Sequence, residues 1–208
     1  MINEDYKAML GGKSVIRELS EYAAARGAEI GYENVFDYSL GNPSVPCPQD
    51  YTDAVIDLYE TAEPVALHGY SPSLGIPSVR KAIADSLNRR FDMDYTADYI
   101  FPTSGAAGAL AHALRAVTKP GDEVITFAPY FPEYQPYVNG TGAHLTVVPA
   151  DTENFQINFE AFEQALNPGT MAVLINTPNN PSGAVYSAET LTHLAEVLRA
   201  KQAEYGHD

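Results

Sequence analysis

The 208-residue sequence is 45% hydrophobic and 19% charged, which is typical of a globular chain long enough for one substantial α/β domain. Its formal charge of −15 excludes nucleic acid and anionic membranes from the expected partners, because the long-range field of the protein repels both. Any phosphate that the protein binds must therefore be held by backbone donors or by a few placed side chains.

Cysteine and histidine give no sign of a disulfide framework or a metal site. Cys47 is the single cysteine, and the five histidines are scattered without the spacing of metal ligands. No apolar run approaches the roughly 18 to 20 residues that span a bilayer. The first residues also lack the pattern of a secretory signal. We therefore expect a cytoplasmic protein without a bound metal.

Residues 1–48 are predicted to form an entry segment that precedes the regular part of the chain. A helix is expected at residues 14–26, and a short extended run follows at residues 35–40. Residues 41–48 contain three prolines within six positions, a pattern that excludes a helix or a central strand. This stretch is therefore predicted to be a rigid loop.

Helix and strand patterns alternate along the rest of the chain. Strands are predicted at residues 123–127, 144–148 and 171–176, and the first and third are almost continuously apolar, as expected for strands covered on both faces. The alternation predicts an α/β fold, a three-layer sandwich around a mostly parallel sheet. The helices are predicted at residues 51–61, 76–91, 105–117, 134–139, 159–166 and 188–205.

Small residues open the helix predicted at residues 105–117, where residues 103–108 read Thr-Ser-Gly-Ala-Ala-Gly. Small side chains let the backbone approach an anion, and the unpaired N–H groups and dipole of a helix N-terminus favour negative charge. An acidic protein can hold a phosphate in this way. Tight packing of the helix against a strand is the alternative explanation of the same residues.

Two further rigid loops carry candidate ligand-binding side chains. Residues 176–183, Asn-Thr-Pro-Asn-Asn-Pro-Ser-Gly, follow the third strand at the edge where α/β sheets place ligands. In this loop Asn180 has an amide that can bond an oxyanion, although a generic Asn-Pro turn is the alternative. In the loop at residues 68–77, the hydroxyl of Tyr70 can reach a phosphate.

The motif at residues 140–145 lacks the last glycine of a dinucleotide fingerprint and precedes a strand, so nicotinamide binding is not predicted.

In this order the three segments resemble those of the fold-type I, class I/II aminotransferases, the group that contains aspartate aminotransferase. The resemblance includes residues 40–43 (Leu-Gly-Asn-Pro), 119–124 (Lys-Pro-Gly-Asp-Glu-Val) and 128–131 (Ala-Pro-Tyr-Phe). It implies a pyridoxal 5′-phosphate cofactor and transfer of an amino group between an amino acid and a 2-oxo acid. It also implies that residues 1–48 are an N-terminal arm with a small-domain segment, and that residues 49–208 begin the cofactor-binding large domain.

The resemblance assigns roles to single residues. The backbone N–H groups of Gly105, Ala106 and Ala107 would bind the cofactor phosphate. Phe131 takes the position of the aromatic residue that stacks on the pyridine ring, with a core aromatic as the alternative. Asn180 would bond the 3′-oxygen of that ring.

Two more residues are assigned by the resemblance alone. The main chain of Gly41 would approach the substrate carboxylate. Tyr70 would contact the phosphate in a neighbouring subunit, which implies a homodimer with shared sites.

The family's Schiff-base lysine, with the aspartate that pairs with the pyridine nitrogen, is expected further along than this chain extends. The resemblance therefore implies an N-terminal fragment of a longer enzyme, with no catalytic residue in this chain and no activity of the 208 residues alone. The alternatives are a noncatalytic dimerisation or binding module of the same descent, and a lyase that uses the same fold and cofactor. A nicotinamide dehydrogenase is a more distant alternative.

Overall fold

The computed structural model describes Glu4, Lys7 and residues 14–41, 43–151 and 153–207. The chain divides into two compact units, Met1–Ser73 and Leu74–Asp208. The domain boundary expected after residue 48 stays a prediction. No helix in the described part of the chain is long and apolar enough to cross a membrane.

In the described part of the first unit, the regular secondary structure consists of helices. Its helices are α1 (Val15–Ile30), α2 (Gln49–Thr61) and α3 (Pro64–His68), with a 3₁₀ turn at Tyr32–Asn34. Helix α1 ends four residues later than predicted, at Ile30, and the next residue is Gly31, whose N–H donates to the Gly27 carbonyl at 2.9 Å and whose φ of +94° favours glycine. The extended run expected at residues 35–40 lies outside helices and strands.

The second unit carries the sheet and its flanking helices. Two helix starts have the side-chain caps that their sequences favour: Asn158 accepts from the Ala161 N–H at 3.1 Å, and Ser187 accepts from the Thr190 N–H at 3.0 Å. The helices are α4 (Pro77–Phe91), α5 (Gly105–Val117), α6 (Tyr134–Asn139), α7 (Phe159–Ala165) and α8 (Ala188–Tyr205), and the strands are β1 (Glu123–Phe127), β2 (His144–Val148) and β3 (Thr170–Leu174).

The three strands form a parallel sheet in the order β2-β1-β3, which confirms the predicted parallel arrangement. In the central strand β1, Val124 and Ile125 are fully buried, as its apolar sequence predicts. Strand β3 is only half-buried along its length, because it has a neighbour on one side among the described strands. It also ends two residues earlier than predicted, so Ile175 and Asn176 belong to the following loop.

Helices cover both faces of the sheet. On one face Leu114 of α5 and Val138 of α6 pack on Val124. On the other face Phe162 of α7 meets Phe127 edge to face, with ring centroids 5.2 Å apart, and Leu194 of α8 joins the same core. The result is the predicted three-layer α/β sandwich.

The direction of α5 decides where its first turn lies. Leu114, near the end of α5, packs against Val124 at the start of β1, and a tight turn at residues 118–122 joins the two elements. The helix therefore runs antiparallel to β1. Because α5 is about 20 Å long and β1 about 17 Å, the first turn of α5 lies at the carboxyl edge of the sheet.

Candidate functional site

Three predicted segments of the second unit meet at the carboxyl edge of the sheet. These are the first turn of α5, the loop at residues 128–133 after β1, and the loop at residues 175–187 after β3. The carboxyl ends of parallel strands share one edge, and ligands of α/β proteins bind there. The fold thus brings the backbone of residues 105–107 to the same edge as Phe131 and Asn180.

The first turn of α5 presents backbone donors to solvent. Residues 104–107 are exposed, and Ser104 makes no side-chain capping bond in the described part of the chain. The first N–H groups of a helix have no partner inside it, which leaves those of Ala106 and Ala107 available. An anion at this position would also gain from the helix dipole.

Gly105 differs in part from its predicted role. Its N–H donates to the Thr103 carbonyl at 2.9 Å, so this group is already bonded within the turn. Its φ of +70° lies in the region that favours glycine, and a Cβ built here meets no atom within 4 Å. Gly105 therefore supplies open space and the turn itself, while Ala106 and Ala107 supply the free donors.

The loop after β3 is held by Asn179, which leaves Asn180 exposed. The Asn179 side-chain oxygen accepts from the Ser182 N–H at 3.1 Å and from the Ser182 hydroxyl at 2.8 Å. The Asn179 backbone bonds Gly183 at 2.7 Å and Ala184 at 2.8 Å. The side chain of Asn180 makes no hydrogen bond to any described residue and is free to bind a ligand. The role of Asn180 stays a prediction, and the sequence did not show that Asn179 supports the loop.

Phe131 belongs to an aromatic cluster after β1. The half-buried Phe131 ring meets Tyr134 edge to face at 5.8 Å, and Tyr130 stacks on Tyr134 at 6.3 Å with planes 20° apart. Phe131 is thus not a fully buried core aromatic, and part of its surface stays accessible to a ligand.

The hydroxyl of Tyr134 lies near polar groups of the loop after β3. Burial raises the pKa of Tyr134. The polar side chain of Asn176 acts on this hydroxyl to lower its pKa, and this effect offsets only part of that of burial. Burial likewise raises the pKa of Tyr186, which lies close enough to interact with Tyr134. Both phenols therefore stay protonated at neutral pH, and neither was identified from the sequence.

Gly41 and Tyr70 lie in the first unit. Gly41 is exposed, and a Cβ built on it meets no atom within 4 Å. Tyr70 is fully exposed, so its ring is available to a partner. Asn42, which belongs to the same motif as Gly41, lies outside the described residues.

The donor set at the carboxyl edge fits a planar phosphorylated ring. Backbone N–H groups suit a phosphate, an exposed aromatic face suits a ring, and a free amide suits a ring oxygen. Pyridoxal phosphate has these three features. Among the described residues, no group of three or more His, Cys, Asp or Glu could hold a metal ion.

Comparison with known proteins agrees with this geometry. The family model described as aminotransferase class I and II matches residues 33–204. An aspartate aminotransferase of Thermotoga maritima is 34% identical over 170 residues, which are 81% of this chain and 44% of that protein. A probable N-succinyldiaminopimelate aminotransferase of Mycobacterium tuberculosis is 38% identical over 134 residues, which are 63% of this chain and 34% of that protein.

Solved structures show the same relationship. An aminotransferase from Eubacterium rectale superposes with a TM-score of 0.95 at 47% identity, over 100% of this chain and 52% of that one. The Thermotoga maritima aspartate aminotransferase gives a TM-score of 0.80 at 34% identity, over 91% of this chain and 49% of that one. The chain therefore spans about half the length, or less, of the relatives it matches, in agreement with the expected correspondence to their N-terminal portion.

Proposed function

Because the chain belongs to the class I and II aminotransferase family, we propose that it forms the N-terminal part of a pyridoxal-phosphate-dependent aminotransferase. The whole enzyme would move an amino group between an amino acid and a 2-oxo acid. One observation carries the proposal: free backbone donors, an aromatic face and an unbonded amide lie at one edge of the sheet. Each is the kind of group that a different part of the cofactor requires.

The residues of this chain would bind and orient the cofactor. The N–H groups of Ala106 and Ala107 would hold its phosphate, and Gly105 leaves the space for the phosphate to approach. Phe131 would support one face of the ring, and the Asn180 amide would bond the ring oxygen. When bound, pyridoxal phosphate supplies an electron-accepting ring that stabilises the negative charge developing at the substrate Cα.

The described lysines do not supply the covalent chemistry of this family. Lys7 pairs with Glu4 at 3.2 Å, and Lys81 and Lys201 pair with carboxylates on their own helices at 2.7 and 2.8 Å. Lys119 lies in the turn before β1, at the opposite edge of the sheet from Asn180. We therefore assign cofactor binding to this chain and no proton transfer, and we expect the 208 residues alone to be inactive.

The homodimer and its shared site are part of the same proposal. The exposed ring of Tyr70 would contact the cofactor phosphate in a second subunit, and the open backbone at Gly41 would approach the substrate carboxylate. Both roles follow from the family resemblance and from the exposure of the two residues. A cytoplasmic location is expected on the same basis.

Binding of pyridoxamine 5′-phosphate to the 208-residue chain tests the proposal. This form of the cofactor has an amine in place of the aldehyde, so it cannot form imines with the five lysines. We expect saturable binding in titration calorimetry, with inorganic phosphate as a competitor. Failure of pyridoxamine phosphate to bind, with the sheet unit folded by circular dichroism, would contradict the proposed cofactor site.

A turnover assay separates the remaining alternatives. Purified chain is incubated with pyridoxal phosphate, an amino acid and a 2-oxo acid acceptor, and the new 2-oxo acid is measured. We expect binding without turnover. Transamination by the chain alone would contradict the assignment of roles, and ammonia release without an acceptor would favour a lyase.

A further inference from the structure

Thr103 bonds both backbone polar groups of Gly105, the residue that opens α5. The Gly105 N–H donates to the Thr103 carbonyl at 2.9 Å, and the Thr103 hydroxyl donates to the Gly105 carbonyl at 2.9 Å. Ser104, between them, has φ −76° and ψ 76°, the geometry of an inverse γ-turn. One residue therefore closes this turn from two sides, immediately before Ala106 and Ala107.

Gly108 leaves room for the Thr103 side chain against the helix. A Cβ built on Gly108 would stand 3.3 Å from the Cβ of Thr103 and 3.6 Å from its Oγ1. The Thr103 side chain thus lies on the first turn of α5, where a larger residue at position 108 would crowd it. This packing is a contact with the same turn in addition to the two hydrogen bonds.

We propose that Thr103 is a positioning residue that holds the first turn of α5 in the shape that receives a phosphate. This inference rests on the proposed function, because the phosphate in question is that of the cofactor. The Thr103 hydroxyl has a single proton, which it donates to the Gly105 carbonyl. It therefore acts on the turn, and the backbone N–H groups of Ala106 and Ala107 remain the donors to the phosphate.

Gly105 is the residue that most needs such a restraint. Its φ of +70° is a conformation that favours glycine, and glycine has the most backbone freedom to lose when it is ordered. On the side where another residue would carry its Cβ, no described atom lies within 4 Å, so packing does not restrain it there. The bonds to Thr103 order the turn before a ligand arrives, which lowers the entropic cost of binding.

The experiment compares Thr103→Val and Thr103→Ser with Thr118→Val in the 208-residue chain. Thr103→Val keeps the branched shape and removes the hydroxyl, whereas Thr103→Ser keeps the hydroxyl. Thr118 is the matched control, because its hydroxyl bonds the Leu114 carbonyl of the same helix at 2.7 Å and the Thr141 hydroxyl at 3.0 Å, at the far end of α5.

Each protein is titrated with pyridoxamine phosphate and, separately, with inorganic phosphate by calorimetry. Hydrogen exchange of the Gly105 amide is measured by NMR without ligand, because this N–H belongs to the turn that Thr103 closes. Urea unfolding gives the stability of each variant.

We expect Thr103→Val to weaken binding of both ligands by a similar factor, roughly three- to tenfold, which corresponds to one hydrogen bond between neutral groups. Exchange of the Gly105 amide should become faster. Thr103→Ser should keep both affinities within about twofold of wild type. Thr118→Val should lower stability and also keep both affinities within about twofold, so that a general loss of stability is separated from positioning.

The contrary outcomes are distinguishable. If wild-type chain binds both ligands and Thr103→Val binds them equally well, the role of Thr103 is wrong and the proposed function stands. Equal weakening by Thr103→Val and Thr118→Val would also overturn that role. If wild-type chain binds inorganic phosphate and not pyridoxamine phosphate, the proposed function is wrong, and the phosphate affinities of the variants still decide whether Thr103 shapes the turn. If it binds neither ligand, both proposals are wrong.

Discussion

The two edges of the sheet differ in how their polar groups are used. At the amino edge the Glu123 carboxylate accepts from Thr146 at 2.5 Å, from Asn167 at 2.8 Å and from Thr170 at 2.6 Å. At the carboxyl edge the N–H groups of Ala106 and Ala107 and the Asn180 amide have no such partners among the described residues. Polar groups bonded to one another stabilise the fold, whereas open ones can bind a ligand.

Substitution at the amino edge should have the largest effect, and that effect should be on stability. Glu123→Ala leaves three donors from β2, β3 and the α7–β3 loop without their acceptor. We expect the free energy of unfolding, measured with urea, to fall by about 2 to 3 kcal/mol. Glu123→Gln keeps one acceptor oxygen and should lose about half as much.

The Glu123 variants also test whether the amino edge of the sheet takes part in ligand binding. Affinity of folded Glu123→Ala for pyridoxamine phosphate should stay within about twofold of wild type. Weakened ligand binding in a variant with unchanged unfolding free energy would show that the amino edge takes part in binding.

Removal of one backbone donor at the carboxyl edge should weaken ligand binding and leave stability almost unchanged, the opposite of substitution at Glu123. Ala106→Pro deletes an N–H in the first turn of α5, where proline is tolerated. A charge-assisted hydrogen bond to phosphate is lost. We therefore expect the dissociation constant for pyridoxamine phosphate, measured by calorimetry, to rise roughly ten- to hundredfold. Unfolding free energy should change by less than about 1 kcal/mol.

Ala106→Gly is the matched control, because it keeps the N–H and removes only a methyl group. Its affinity should stay close to that of wild type. Equal losses in both variants would mean that the backbone donor at this position does not hold the phosphate.

The neighbouring residues Asn179 and Asn180 allow the same comparison, between a polar side chain bonded within the protein and one open to a ligand, to be made within one loop. Asn180→Ala should weaken pyridoxamine phosphate binding several-fold and leave stability unchanged, because its amide bonds no described residue. Asn179→Ala removes two bonds from Ser182 and should lower unfolding free energy by about 1 kcal/mol. Urea unfolding and calorimetry on both variants check this, and a stability loss in Asn180→Ala would contradict the division of roles.

Alkaline pH should produce the smallest effect. Burial raises the pKa of Tyr134 and Tyr186 above the ordinary tyrosine value of about 10. As pH rises past about 10, the unfolded chain releases these protons first. The stability that depends on the neutral phenols is therefore complete below pH about 10 and is lost as pH rises through the folded-state pKa.

The double variant Tyr134→Phe, Tyr186→Phe should make unfolding free energy fall less steeply with pH above about 10 than in wild type. Tyr99→Phe, at an exposed tyrosine, is the control and should keep the wild-type slope. Identical slopes in the double variant and wild type would contradict the contribution of the buried phenols.

Local patterns predicted most of the second unit. Helices α5 and α8 begin and end where the sequence placed them, because small residues or a capping serine mark the start and the apolar period marks the length. Strand β3 ended early, since an apolar run does not show where backbone pairing with a neighbour stops. The loops that contain Phe131 and Asn180 were identified because proline and glycine punctuate them.

Contacts between distant segments could not be predicted. The partners of Glu123 are 23, 44 and 47 positions away in sequence, and they meet only because the strands pair in this register. The influence of Asn176 on the pKa of Tyr134 likewise depends on the sheet order β2-β1-β3. For Gly105, the sequence predicted the turn and could not show that its N–H donates to the Thr103 carbonyl.

Backbone NMR of the 208-residue chain during titration with pyridoxamine 5′-phosphate tests the central claim most directly. Shifts of the amide signals of Ala106, Ala107, Phe131 and Asn180, with unchanged signals for Thr146, Asn167 and Thr170, are the predicted result. Inorganic phosphate should shift Ala106 and Ala107 and leave Phe131 unchanged. Shifts confined to the amino edge, or no shifts at saturating ligand, would contradict a cofactor site at the carboxyl edge.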